Sequence, residues 1–213
     1  MIKFFTLILT MLCAISFSQE IAVLKYNGGG DWYANTTALP NLIKFCNKNI
    51  NTTINYIPKT VEPNNMEIFQ YPFIHMTGHG NVFFTNDDAE NLRDYLISGG
   101  FLHIDDNYGM DQYIRKELKK IFPNQEIKEL SFKHKIFNIV YKFPKGLPKI
   151  HEHDGKRPQA LGYYYKNRLV CLYTTESDLG DGWENEEIHN DSQEVRLKAL
   201  KMGANIIKYA FEN

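Results

Sequence analysis

The chain has 213 residues, with Lys+Arg 24 set against Asp+Glu 25 and a formal net charge of −1. So even a balance excludes binding driven by nucleic-acid phosphates, which needs a basic surface. The length suits one domain with a sizeable core, and there are neither internal repeats nor a low-complexity tail.

At the amino terminus Lys3 precedes an apolar run from Phe4 to Ile15, followed by Ser16, Phe17 and Ser18. This is the layout of a secretory signal peptide, and the run is shorter than the about 20 apolar residues a membrane span requires. Cleavage is expected after Ser18, leaving residues 19–213 as a periplasmic or secreted domain. Leu12 stands where a lipoprotein signal would carry a small residue before Cys13, so no lipid anchor is expected. Cys46 and Cys171 lie among apolar neighbours and read as two small core residues, while export would also permit a disulfide between them.

In chain order, Glu20 to Tyr26 reads as a strand running into Gly28-Gly29-Gly30. A helix follows, capped by Thr36 or Thr37, with Pro40 in its first turn. Thr52 to Ile57 is a short β-rich run, and Pro58 and Pro63 bracket a loop. Phe73 to Met76 is a second clear strand, ending at Thr77-Gly78-His79-Gly80. Thr85 caps the next helix, and Gly99-Gly100 stops it. Phe101 to Ile104 is a compact apolar strand ending at Asp105-Asp106, and Asp111 caps a helix through Ile121. Val140 to Phe143 reads as a further strand. Leu161 to Tyr165 and Leu169 to Thr174 form a hairpin about Lys166-Asn167. After an acidic loop, Ser192 opens a long helix that Gly203 weakens. Strands and helices alternating at this rhythm predict an α/β fold, with a mainly parallel sheet between two helical layers and an added hairpin in the later half.

Ligands of such sheets bind outside the carboxyl ends of the strands. That edge gathers Gly29, Gly30, Asp31 and Trp32, then His79, then Asp105 and Asp106. The glycines suit a tight turn or an anion cradle. Asp31 beside Trp32 suits positioning of a sugar or peptide, or else Trp32 covers the core edge. His79, between two glycines, suits a base, a ligand or a donor, whereas His75 and His103 lie inside apolar strands and read as core, and His134 reads as a surface or turn residue. Asp105 and Asp106 either meet a cation or donors in a cleft or cap the next turn; adjacent residues of a strand point opposite ways, so only one of them faces the site, and Asp106 is favoured. His151 and His153, one residue apart on an extended chain, could share a metal ion or could simply line an exposed polar loop. The cofactor is thus left open, a divalent metal being the candidate. The acidic loop from Glu176 to Glu187 reads as a solvated loop with a buried Trp183, or else adds Trp183 and Glu184 as candidate ligand contacts, and its spacing does not match a helix-loop-helix calcium site.

The runs GGGDWYANTTALPNL, TGHGN, GGFLHIDDNYGMD, GLPKIHEHDG, YTTESDLGDGWEN and ALKMGANIIKYA resemble the domain-of-unknown-function 4159 family, in the family's order and over nearly all of the chain after residue 18. The resemblance implies a flavodoxin-like sandwich of the class I glutamine-amidotransferase-like superfamily, and no established reaction. Glutamine amidotransferases carry a nucleophilic cysteine after the strand that here is Phe101 to Ile104. This chain has Asp105-Asp106 there, so no thioester route and no glutaminase activity are expected. Two functional classes follow. One is a hydrolase-like enzyme acting on a carbohydrate or cell-envelope compound, with His79 and Asp106 or Asp105 catalytic and His151/His153 helping to bind. The other is a non-catalytic module holding a small molecule, glycan or peptide against Trp32, Trp183 and Tyr163 to Tyr165.

Overall fold

The computed structural model describes residues 19–212, so the expected signal segment, residues 1–18, lies outside the described residues. No helix among the described residues is long and apolar enough to cross a membrane. Seven strands form one sheet: β1 (Ile21–Leu24), β2 (Lys59–Val61), β3 (Phe73–Gly78), β4 (Phe101–Asp106), β5 (Lys128–Glu129), β6 (Gln159–Tyr165) and β7 (Arg168–Thr175). Their order is β2-β1-β3-β4-β7-β6-β5. The first five run parallel, β6 pairs antiparallel to β7, and β5 pairs antiparallel to β6.

Six helices connect or flank them: α1 (Ala38–Asn49), α2 (Asn86–Ile97), α3 (Asp111–Ile121), α4 (Leu179–Trp183), α5 (Glu186–His189) and α6 (Gln193–Glu212). One core lies between the sheet and α1, α4 and α6, and includes Leu42, Phe73, Phe101, Trp183 and Ile207. The other lies under α2 and α3, and includes Ile74, Met76, Leu92, Ile104 and Leu118. Alternate residues of one strand feed different cores, as a pleat requires. The result is the expected three-layer α/β sandwich with its later hairpin.

Local chemistry explains most boundaries. Thr85 Oγ1 accepts from Asp88 N at 3.1 Å while the Asp88 carboxylate accepts from Thr85 N at 2.8 Å, a reciprocal cap that starts α2. Lys166 and Asn167 both take positive φ, 48° and 67°, the backbone of a tight hairpin turn matched to strand twist. Gly203 sits mid-helix because a Cβ there would stand 2.6 Å from Leu42 Cδ1 and 2.9 Å from the Trp183 ring. Both described cysteines are buried and free.

Four expectations are corrected. Residues 52–57 form no strand, and only Ile54 makes an isolated bridge, to Gln19. The edge strand is instead Lys59–Val61, between the two prolines, held by pairing to β1 although Lys59 and Thr60 are exposed. Val140 to Phe143 is not a strand, because the side chain of buried Asn205 takes the place of a neighbouring strand: its Oδ1 accepts from Val140 N and Tyr141 N, and its Nδ2 donates to Tyr141 O. The acidic loop is largely helical, forming α4 and α5. Finally, α3 is preceded by Met110 as cap, and Asp111 is its first residue.

A candidate metal centre at the carboxyl edge of the sheet

The parallel strands end on one rim, where the register sets Thr77 beside Asp105 and Asp105 beside Thr174. The glycine turn, the His79 loop and the segment after β7 all meet there. Gly30 N donates to Asn81 O at 2.9 Å, Phe83 N donates to Asn27 O at 2.8 Å, and Asn81 Nδ2 donates to Gly28 O at 3.0 Å. The glycine turn is thus zipped to the His79 loop by its own backbone, and the amide of Gly30 is already engaged. The Asp31 carboxylate accepts from the backbone N of His79 and lies 3.0 Å from His79 Nδ1. The His79 ring is half-exposed, and Nδ1 is the nitrogen that Asp31 engages.

The two aspartates diverge as a pleat demands. Asp105 is fully buried on the α4 side, where its carboxylate accepts from Gly180 N at 2.7 Å and from Thr174 Oγ1. Burial drives its pKa well above the usual carboxylate range, against the pull of those donors. Asp106 points to the other face. There it accepts from Tyr108 N and Met110 N at 3.0 Å each and from the hydroxyls of Tyr173 and Thr175 at 3.2 Å each. Burial raises its pKa as well. With both oxygens engaged, Asp106 organises the turn into α3. The favoured base is thus bound internally, and the charge chemistry of the rim lies elsewhere.

It lies where the segment before β6, carrying His151, meets the residues after β7. His151 Nδ1 is 3.2 Å from Asp181 Oδ2, and its Nε2 is 2.9 and 3.0 Å from the two oxygens of Asp191. His189 Nε2 is 3.0 Å from Glu184 Oε2 and 3.7 Å from Asp181 Oδ1. One ligand atom each from His151, Asp181 and His189 fall within 4.8 Å of one another. Asp181 Oδ1 is steadied by donation from Asn35 Nδ2 at 2.7 Å and Asn107 Nδ2 at 3.0 Å. Asn107 also donates to Asn35 Oδ1 at 2.6 Å and accepts from Thr77 Oγ1 at 3.1 Å, tying the centre to the ends of β3 and β4.

His153 departs from the expected pairing. It meets Asp178 Oδ2 through Nε2 and stacks on Tyr108 at 4.5 Å between ring centroids, outside the His151, Asp181, His189 group. Asp178 Oδ2 is nonetheless 3.8 Å from His151 Nδ1, so both histidines border one carboxylate. Asp178 is fully buried, takes φ 59°, and its Oδ1 has no hydrogen-bond partner. Burial raises its pKa to about 6, partly offset by His153. The hydrogen bond to Asp181 lifts His151 to about 9 against its own desolvation, with Asp191 adding to the rise. Asp181 is lowered: burial alone would raise it, but His151, His189 and Asn35 prevail.

The remaining candidates separate. Glu184 is buried beside the centre, where its carboxylate accepts from Thr37 Oγ1 at 3.2 Å and meets His189. Trp183 is fully buried, donates to Ala199 O at 2.9 Å and packs on His75 and His103. It offers no surface to a ligand, because the short helix α4 turns it inward. Tyr163 to Tyr165 end β6 at the opposite edge, paired near Arg168 at the start of β7, and do not join the rim. His134 caps the 3-10 turn Lys135–Phe137 through its ring nitrogen. His75 and His103 are buried in the sheet as expected. The sequence marks none of Asn35, Asp178 and Asp181 as a ligand, whereas His189 and Asp191, just ahead of α6, can be read either as reaching the cleft or as merely preceding the helix cap. The one signal the first three carry is the three-residue spacing of Asp178 and Asp181, which a helical turn brings to one side.

A comparison with curated proteins returns no match. Every segment that builds this rim falls within residues 20–211, the stretch matched by the family model described as Domain of unknown function (DUF4159), and the chain belongs to that family.

Proposed function

We propose that this is an exported, hydrolase-like enzyme whose centre holds one divalent cation on His151, Asp181 and His189, and that its fold is of the glutamine-amidotransferase-like kind without glutaminase chemistry. The carrying observation is the convergence of those three ligand atoms at the strand ends. Ligands at about 2.1 Å from an ion in a tetrahedron stand roughly 3.4 Å apart; His151 Nδ1 is 3.2 Å from one oxygen of Asp181 and His189 Nε2 is 3.7 Å from the other. Asp178, Asp181, Glu184 and Asp191 oppose three imidazoles there, and Asp178 Oδ1 is buried with no hydrogen-bond partner, a group that a cation would satisfy. Asp191 on the far nitrogen of His151 is the outer carboxylate that orients metal-bound histidines. Mixed imidazole and carboxylate donors favour zinc or manganese over calcium.

A bound cation would supply an acidified water and polarise an ester or glycosidic oxygen. His79, positioned by Asp31, would move the proton at its Nε2. The apolar run ahead of Ser18 supports export, which in turn supports a carbohydrate or cell-envelope substrate.

Calorimetry of the dialysed protein with zinc or manganese should give one ion per chain. Asp181→Asn should abolish the binding, and Asp191→Asn should weaken it about 10- to 100-fold. The loaded protein should release p-nitrophenol from at least one of a panel of p-nitrophenyl esters and glycosides, with His79→Ala slowing the release. Absence of metal binding, or binding that survives Asp181→Asn and His151→Ala together, would overturn the centre. Metal binding without turnover would leave the binding module instead of the enzyme.

A further inference from the structure

A cavity of about 200 Å³ lies between the loop that carries Trp32 and the ends of β1 and β3. It is smaller than the roughly 300–1,000 Å³ that drug-sized ligands occupy, so its volume suits one small ring. Trp32 and Tyr33 form an edge-to-face pair with centroids 5.6 Å apart on one wall. Pro40 and Pro58 line it as well, together with Asn35, Thr60, Thr77 and His75. No Lys, Arg, Asp or Glu is among the lining residues.

His75 makes this cavity unusual. It is only 2% exposed, and its Nε2 has no hydrogen-bond partner. Its Nδ1 is 3.2 Å from His103 Nδ1, and His103 Nε2 is 3.0 Å from Thr174 Oγ1. Thr174 has a single proton, which goes to Ile104 O at 3.2 Å or to the Asp105 carboxylate. With the Thr174 proton on either of these acceptors, Thr174 accepts from His103, which puts the His103 proton on Nε2 and makes His103 Nδ1 an acceptor. His75 must then carry its proton on Nδ1. Its Nε2 is left as a bare lone pair on the side of the ring away from His103, in a residue that lines the cavity. Burial pushes the pKa of His75 down to about 3 and that of His103 well below the usual imidazole range, so both rings are neutral at physiological pH. A buried acceptor without a donor costs about 1–3 kcal/mol, and a ligand hydroxyl would remove that cost.

We infer that this cavity is the binding subsite for an uncharged, polyhydroxylated ring, a single sugar residue, with one hydroxyl donating to His75 Nε2 and the ring seated against Trp32. Aromatic and proline walls suit the C–H face of a sugar. The absence of charged side chains disfavours an anion, which would find no cation to meet it. Asn35 is shared between the cavity and the metal centre, since its Nδ2 donates to Asp181 Oδ1 at 2.7 Å. A ring held here is therefore beside the proposed cation. Its role as part of a substrate rests on the enzyme reading above, whereas its binding does not.

The test is titration of the full chain with methyl β-D-glucopyranoside, N-acetyl-D-glucosamine and myo-inositol, read by calorimetry and by ¹⁵N spectra of the imidazole rings. At least one probe should bind saturably and move the His75 Nε2 resonance. Trp32→Ala and His75→Phe should each weaken it about tenfold or more, the loss of one good contact. His189→Gln, or added chelator, should leave sugar binding unchanged, so failure of the metal centre and failure of this subsite are separate outcomes. The inference is overturned if none of the three probes binds, or if a probe binds with the His75 Nε2 resonance unmoved. Undiminished binding in Trp32→Ala overturns it too. The nitrogen resonance is read on the wild-type chain, so the test holds whether or not His75→Phe folds.

Discussion

The paired histidines of the sheet make the stability of this protein sensitive to acid, and His75→Phe isolates the effect. In the folded chain His75 is protonated only near pH 3, whereas an unfolded chain takes up that proton at its ordinary value of 6.5. Between these values the unfolded state binds more protons than the folded one, so unfolding becomes easier as pH falls from about 6.5. Each pH unit in that window is worth about 1.4 kcal/mol, so lowering the pH to about 5 costs about 2 kcal/mol through His75 alone. That is a sizeable share of the roughly 5–15 kcal/mol that holds a domain together. His103 adds a term of the same sign. Asp105 has the opposite sign: its raised folded pKa means that acid relieves a burial penalty. Comparing wild type with His75→Phe at each pH cancels the Asp105 contribution and leaves the His75 term. The assay is urea unfolding followed by fluorescence of buried Trp183, at about pH 7.5 and about pH 5. The variant should lose about 2 kcal/mol less than wild type across that interval. At neutral pH it should be weakened, since His103 Nδ1 loses its donor. An identical pH dependence in the two proteins would show that His75 titrates normally, and would refute the buried, neutral network.

Other perturbations follow from single contacts. Thr85→Ala removes both the acceptor for Asp88 N and one half of the reciprocal cap of α2, and should lower stability by about 1 kcal/mol in chemical denaturation. Gly203→Ala gains helix propensity but drives a methyl into Leu42 and Trp183, so a net loss of about 1–2 kcal/mol is expected, with a change in Trp183 fluorescence. Asp106→Ala leaves Tyr108 N, Met110 N and the Thr175 hydroxyl without this acceptor, while the Tyr173 hydroxyl keeps Asp111 Oδ1 at 2.7 Å, and a loss of about 2–4 kcal/mol in urea should accompany it. Gly78→Ala sets a side chain at φ 139° against the Tyr26 hydroxyl and the Asp31 backbone. Heating should unfold that variant at markedly lower temperature than wild type.

The layer order was legible because each strand that matters reads as an apolar run closed by a helix cap or a glycine. Phe73 to Met76 and Phe101 to Ile104 are buried on both faces and carry no polar alternation to confuse them with surface strands. Two neighbouring histidines within those runs did not disturb the reading, because neutral imidazoles can be buried when they hydrogen-bond one another. The strand Lys59–Val61 was illegible for the converse reason. Its exposed Lys59 and Thr60 give no hydrophobic signal, and only the backbone pairing to Ala22 and Val23 makes it a strand. The reading of residues 140–143 failed because Asn205, far along in α6, satisfies their backbone groups from its side chain. Neither cause is local in sequence.

The rim was half legible for the same reason. Sheet topology gathers the glycine turn, His79, Asp105 and Asp106 whatever their side chains do, and the strand rule was enough to place them. Which groups stay free to act depends on partners supplied from elsewhere. Asp106 is occupied by Tyr173 and Thr175 of β7, and His79 is claimed by Asp31. The pair rule for His151 and His153 assumed an extended strand, yet Ile150 N and His151 N both turn to the carbonyl of Ser177, and the chain is not part of the sheet there. The two imidazoles consequently fan out, one to Asp181 and Asp191 and the other to Asp178. A pair of histidines on an irregular segment therefore specifies a cation site only through the carboxylates that reach it. Here they come from α4 and from the residues just before α6, which places the decisive test on Asp181 rather than on His151 or His153.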